Sequence, residues 1–300
     1  MLQGGLVAQG SLVAIVTPMF EDGRLDIASL KALIDFHVDQ GTDGIVIVGT
    51  TGESPTVDFD EHCLLIKTAV SQVNGRVPVI AGTGANSTAE AITLTQKAKE
   101  LGVDGCLLVA PYYNKPTQEG LYQHFKAIAD TVNIPQILYN VPSRTGCDIS
   151  NDTAIRLAAH PNIIGIKDAT GGIERGTDLI LRCPKDFSVL SGDDATAMSL
   201  MLLGGKGVIT VTGNVVPKLM QEMCIAAIAG DAIKAREINA KLFPLHQKLF
   251  VEANPMPVKW VLAQMGLIKT GIRLPMVQMS AQYHDILREA CKSANILQMS

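Results

Sequence analysis

Eight short apolar runs, each followed by a stretch with helical period, constrain this chain more than any single motif does. The runs cover residues 12–16, 44–48, 77–81, 105–109, 135–139, 163–166, 188–190 and 207–211. They are continuously apolar rather than alternating, the pattern of parallel strands covered on both faces. Between them, Asp26 precedes Leu30, Leu33, Ile34, His37 and Val38, and Ser87 with Glu90 forms a capping box before Ala91, Leu94, Ala98 and Leu101. Thr117 likewise opens Leu121, Phe125, Ile128 and Val132, and glycine-containing turns at 41–44 and 101–105 return the chain to the next strand.

Strict βα alternation over roughly 230 residues predicts an α/β chain folded as a (β/α)8 barrel over 1–230. An open doubly wound sheet is the alternative, but no G-x-G-x-x-G follows the first strand. Residues 231–300 read as a C-terminal helical region: 232–250 interrupted by Pro244, then 258–265, then 281–293. A barrel is complete without them, so their apolar faces must pack on its outer helices or on another subunit. Trp260 and Met265 are read as core.

A composition of 47% hydrophobic residues supplies a large core. The net charge of −4 and the lack of any lysine or arginine before Arg24 argue against a nucleic-acid surface and a secretory leader. No apolar run reaches the ~18 residues that span a bilayer, so a soluble, cytoplasmic protein is expected. Cys63, Cys106, Cys147, Cys183, Cys224 and Cys291 form no C-x-x-C pair and read as free thiols; the six histidines show no ligand spacing. No metal site is expected.

Lys167 is the anomaly within this pattern. It ends the apolar run Ile163-Ile164-Gly165-Ile166, where burial disfavours an ammonium and leaves a neutral amine, a nucleophile toward carbonyl carbon. The competing explanation is a lysine snorkelling from a strand end. In a barrel, functional groups collect at the carboxyl ends of the strands. There the chain supplies Gly49-Thr50-Thr51-Gly52-Glu53-Ser54, Pro111-Tyr112-Tyr113-Asn114 and Tyr139-Asn140-Val141-Pro142-Ser143-Arg144. Hydroxyls and backbone N–H groups at 49–54 suit a small carboxylate, Tyr139 suits proton transfer to the amine, and the Arg144 fork suits a second carboxylate. Each feature also has a structural explanation: a capped turn, a packing tyrosine, a surface charge.

Gly-Thr-Thr-Gly-Glu at 49–53, Tyr-Asn-Val-Pro-x-Arg-Thr at 139–145 and Gly-Ile-Lys-Asp at 165–168 resemble, in order and spacing, the dihydrodipicolinate synthase family of pyruvate-dependent class I aldolases, which includes sialic acid lyase. The likeness covers essentially the whole chain. It implies that pyruvate forms a Schiff base on Lys167 without any other cofactor. The enamine then attacks L-aspartate 4-semialdehyde, giving 4-hydroxy-tetrahydrodipicolinate on the route to diaminopimelate and lysine. It also implies a relay of Tyr139, Thr50 and Tyr113, with Tyr113 reaching across a tight dimer interface. Thr51 would hold the pyruvate carboxylate, Arg144 the semialdehyde carboxylate, and Gly192 and Ile209 would line the pyruvate pocket. Sialic acid lyases typically carry Ser-Thr where this chain has Thr50-Thr51 and lack the arginine, which favours the synthase. A homotetramer built as a dimer of dimers is expected.

Ser54, His62, Asn86, Glu90 and Tyr112 match the family's lysine effector site, although Phe59 and Pro55 depart from the lysine-sensitive pattern. Three other readings compete: an aldolase with a different acceptor, a barrel that binds without catalysing, and a phosphate barrel using Gly204-Gly205-Lys206-Gly207. That last cluster precedes its strand, the wrong end for a ligand.

Overall fold

In the computed structural model, which describes residues 6–296, eight parallel strands close into a barrel in chain order. They are β1 (Gly10–Ala14), β2 (Gly44–Ile47), β3 (Val79–Gly82), β4 (Gly105–Val109), β5 (Gln136–Asn140), β6 (Ile163–Asp168), β7 (Ser188–Ser191) and β8 (Gly207–Thr210). The predicted barrel is therefore the observed one. The helices between strands are α1 (Ile27–Asp39), α2 (Phe59–Val73), α3 (Thr88–Glu100), α4 (Gln118–Thr131), α5 (Pro142–Thr145), α6 (Asn151–Leu157), α7 (Ile173–Arg182) and α8 (Asp194–Leu202). Helix α9 (Pro217–Ile228) follows β8, and α10 (Ala232–Lys248), α11 (Met256–Gln264) and α12 (His284–Ser293) complete the chain. The N-cap signals at the helix starts hold: Asp26 accepts from Ser29 N, Ser87 from Glu90 N and Thr117 from Gly120 N. Of the expected capping box at Ser87 and Glu90 only the Ser87 half is made, whereas Asp58 and Glu61 form a full box on α2.

Each continuously apolar run resolves into two faces. Leu12, Ala14, Val46, Ile80, Leu107, Ile137, Leu190 and Ile209 fill the barrel interior. Their strand neighbours, such as Val13, Ile45, Val79, Leu108, Leu138 and Val208, pack outward under the helices. The side-chain period of two explains both sets.

Strand β6 departs from simple alternation, and the departure decides where Lys167 points. Gln136 pairs with Ile163, but Ile137 pairs with Gly165, so Ile164 is one extra residue in β6. Because of that bulge Tyr139 aligns with Lys167 and Asn140 with Asp168. Without it, Tyr139 would stand beside Ile166, and Lys167 would turn out toward the helices, since a one-residue slip exchanges faces. Gly165 allows the bulge to lie against β7: a Cβ there would stand 2.6 Å from the Ser188 carbonyl oxygen.

Two expectations are corrected. Pro244 does not interrupt its helix; α10 runs through it from Ala232 to Lys248. Proline inside a helix costs about 3 kcal/mol. Leu242, Leu245 and Leu249, all fully buried around it, offset that cost at about 1.5–3 kcal/mol each. The C-terminal region also does more than cover outer helices. It packs on α8 and α9, but Phe250 and Asn254 in the α10–α11 connection line the barrel mouth. Trp260 is buried as expected, stacked on His284 with ring centroids 4.5 Å apart. All six cysteines are free; Cys106, Cys224 and Cys291 are buried and the other three partly accessible. The 204–207 turn sits at the amino end of β8, where Lys206 N donates to Val189 O and Lys206 O accepts from Gly10 N, each at 2.9 Å.

Gly165→Ala should force β6 and β7 apart and lower stability by about 1–3 kcal/mol, read from the denaturant midpoint. Burial pushes His37 down to about 3 and His124 down to about 4, so both fold as neutral imidazoles. Their folded pKa values lie below the unfolded value of about 6.5. The unfolded chain therefore binds more protons in this range, and stability should be full above pH 6.5 and fall as pH drops toward 4 and 3. His37→Gln should flatten that slope in pH-dependent melts.

Candidate active site

The carboxyl ends of the strands bring the predicted residues to one mouth. Lys167 is only 5% exposed, and its Nζ lies 4.2 Å from the centroid of the Tyr139 ring. A cavity of about 240 Å³ opens over this pair, its walls including Thr50, Thr51, Arg144 and Gly192. Gly192 has to be glycine: a Cβ there would sit 2.9 Å from Lys167 Cε and 2.7 Å from Ala169 Cβ. Ile209 lies in the interior core rather than on the cavity wall.

Two of the candidate carboxylate-holding residues are linked by a residue that sequence reasoning missed. Asn254 Nδ2 donates to Thr51 Oγ1 at 3.0 Å, and Asn254 O accepts from Arg144 Nη2 at 3.2 Å. Asn254 is buried, and its Oδ1, itself without exposed surface, has no protein partner. Nothing local marks this asparagine, since both its contacts come from distant parts of the chain.

The turn carrying Thr50 and Thr51 is held from beneath. Thr17 Oγ1 donates to Gly52 O at 2.7 Å, and Glu53 N donates to Thr50 O at 3.1 Å. Glu53 itself adopts φ 59°, a left-handed conformation that is uncommon for a residue with a Cβ. Its buried carboxylate accepts from Lys259 Nζ and, at 3.2 Å, from Arg273 N. Arg273 in turn grips Glu61 through Nη2 at 2.6 Å and holds the Glu61 carboxyl below its usual range. Burial pulls the Lys259 amine down, opposed by the Glu53 charge beside it. Lys259 carries the same signal as Lys167, a charge inside an apolar segment, but its partner lies far away in sequence.

A second cavity of about 490 Å³ shares Thr50, Tyr139 and Arg144 with the first and extends outward to Ser54, Pro55, Phe59, His62, Glu90 and Tyr112. Four of the five predicted effector residues therefore line one space. Asn86 stands beside it, donating through Nδ2 to Tyr112 O at 3.2 Å. Burial keeps the His62 imidazole below its ordinary value. Tyr113 is not brought to the lysine of its own chain: it is 90% exposed, at φ 74°, anchored by its N–H to Thr145 O at 3.1 Å.

The fold and mouth define a class: a parallel (β/α)8 barrel whose mouth holds a buried amine paired with a phenol and rimmed by an arginine. The chain belongs to the dihydrodipicolinate synthetase family, whose profile matches residues 7–294. It is 68% identical over 287 residues to the 4-hydroxy-tetrahydrodipicolinate synthase of Nitrosomonas europaea, covering 96% of this chain and 98% of that one. A crystal structure of the chloride-inhibited dihydrodipicolinate synthase from Acinetobacter baumannii complexed with pyruvate superposes with a TM-score of 0.95 at 58% identity, over 96% of this chain and 99% of that one. The dihydrodipicolinate synthase of Cyanidioschyzon merolae with lysine bound gives 0.93 at 38% identity, over 96% and 99%.

Lys259→Met strands the Glu53 charge and should lower stability by about 3–5 kcal/mol, whereas adding Glu53→Gln should recover much of the loss. Urea denaturation of the two single variants and the double variant measures it.

Proposed function

We propose that the chain is a 4-hydroxy-tetrahydrodipicolinate synthase, a lyase that condenses pyruvate with L-aspartate 4-semialdehyde through a Schiff base on Lys167. The observation that carries this reading is the aligned, buried Lys167–Tyr139 pair under a cavity with separate carboxylate holders at Thr51 and Arg144. Nζ attacks the pyruvate ketone, and water leaves as the imine forms. The imine nitrogen is then the electron sink for loss of a methyl proton, so the chemistry needs no added cofactor. The enamine carbon attacks the aldehyde, and cyclisation of the adduct frees the lysine. Tyr139, with Thr50 nearby, carries protons between nitrogen, oxygen and solvent.

The exposure of Tyr113 on the single chain supports its role as a donor to a neighbouring subunit, within a homotetramer built as a dimer of dimers. Among the described residues no helix is long and apolar enough to cross a membrane, which is compatible with the proposed cytoplasmic setting. The outer cavity with Ser54, His62, Glu90 and Tyr112, flanked by Asn86, suits an amino-acid effector, whose ammonium would meet the Glu90 carboxylate. L-Lysine at millimolar concentration is expected to lower initial rates; unchanged rates would remove this part of the reading.

Borohydride reduction in the presence of pyruvate should fix a three-carbon adduct on Lys167, located by peptide mass mapping. A label elsewhere, or none, would overturn the mechanism. Arg144→Ala should lower kcat/KM for the semialdehyde by about 10–100-fold, the worth of one charge-assisted contact, while pyruvate trapping continues. N-acetylmannosamine should fail to replace the semialdehyde as acceptor in a turnover assay with pyruvate.

A further inference from the structure

Strand residues that alternate across the barrel wall put two different pairs back to back. Tyr139 and Lys167 face the cavity; the next residue on each strand, Asn140 and Asp168, is paired in the same register and faces out toward α6 and α7. Asn140 is fully buried, and every polar atom of its side chain has a partner. Its Nδ2 donates to Asp168 Oδ1 at 2.9 Å and to Asp148 Oδ1 at 2.7 Å, while its Oδ1 accepts from Ile149 N at 2.9 Å.

Asp168 is equally occupied. Its Oδ2 accepts from Thr170 Oγ1 at 2.5 Å, and its Oδ1 lies 3.3 Å from Arg175 Nε. Arg175 Nη1 also donates to Asp148 Oδ2 at 2.9 Å, and Nη2 donates to Ile149 O, so α7 is tied to the 148–149 segment that also bonds Asn140. The backbone adds bonds from Ala169 N to Asn140 O at 2.9 Å and from Gly192 N to Asp168 O at 2.7 Å.

We propose that Asn140 and Asp168 are positioning residues for the Schiff-base step. Their cross-strand bond lies one residue beyond the reacting pair on each strand, at the end of the four regular pairs that follow the Ile164 bulge. The bond fixes the register and the separation of β5 and β6 at the level where Tyr139 must exchange protons with Lys167. Because every polar atom of the Asn140 side chain is used, the network favours one geometry, and removing one member leaves buried partners unpaired. The inference rests on the reading of Lys167 as the imine-forming residue.

The test is the rate of borohydride-trappable imine formation at saturating pyruvate, measured beside pyruvate affinity and thermal stability. Wild-type protein must label at Lys167; if it does not, the functional reading fails and the clamp is not at issue. Given labelling, Asn140→Ala should slow imine formation by about 100-fold, the effect of misplacing a reacting group by roughly 1 Å, with little change in pyruvate affinity. Asp168→Asn keeps an acceptor for the Asn140 amide and should retain most of the rate, whereas Asp168→Ala should behave as Asn140→Ala.

Asn162→Ala serves as the stability control. It removes another partly buried amide, which donates to Ala129 O at 3.0 Å beneath the opposite end of β6. It should lower the melting temperature without moving the trapping rate. Asn140→Ala that melts early yet traps pyruvate at the wild-type rate would overturn the proposal, as would equal slowing by Asn162→Ala.

Discussion

In a closed parallel barrel every strand residue must face either a filled interior or a layer of helices, and everything functional here depends on that two-sided assignment. Both faces are apolar along most of each strand, so the strands are buried whichever way they are phased. Phase matters only where a polar residue must reach the mouth. At β6 the extra residue Ile164 sets it, turning Lys167 inward beside Tyr139 and Asp168 outward beside Asn140. One backbone irregularity thus separates an amine available to a substrate from one wedged under a helix.

The C-terminal region belongs to the same logic. Its helices bury apolar faces on α8 and α9, but the segment between α10 and α11 reaches the mouth, where Asn254 bridges Thr51 and Arg144. One helix further on, Lys259 meets Glu53 beneath the turn that carries both threonines. A buried ion pair contributes little net stability, because desolvation consumes most of the Coulomb gain. What it supplies at this position is geometry, since Glu53 holds a left-handed conformation that an unsupported turn would not retain.

Much of the barrel was legible in the chain. Eight runs and their intervening helices appear where their periodicities place them, with strand ends displaced by at most two residues, in part because apolar residues such as Val16 and Val48 stay buried after leaving the ladder. Pro244 was misread because local chemistry forbids a proline inside a helix, while burial of the leucines on both sides permits it. At the mouth, Thr50, Thr51, Tyr139, Arg144 and Lys167 could be collected from strand-end positions alone. Asn254 and the Glu53–Lys259 pair could not, because each makes its decisive contact with a residue some two hundred positions away.

By itself, then, the sequence determined the number and order of the strands, the face of the barrel on which chemistry collects, and the residue types gathered there. Those follow from short-range periodicity and from the rule that strand ends of one polarity converge. The tertiary structure alone decided which way Lys167 faces, how the residues behind it are hydrogen-bonded, and that Tyr113 is exposed and does not line its own chain's lysine cavity. Hydrophobicity is nearly identical on the two faces of these strands, so only the pairing with β5 and β7 can select between them.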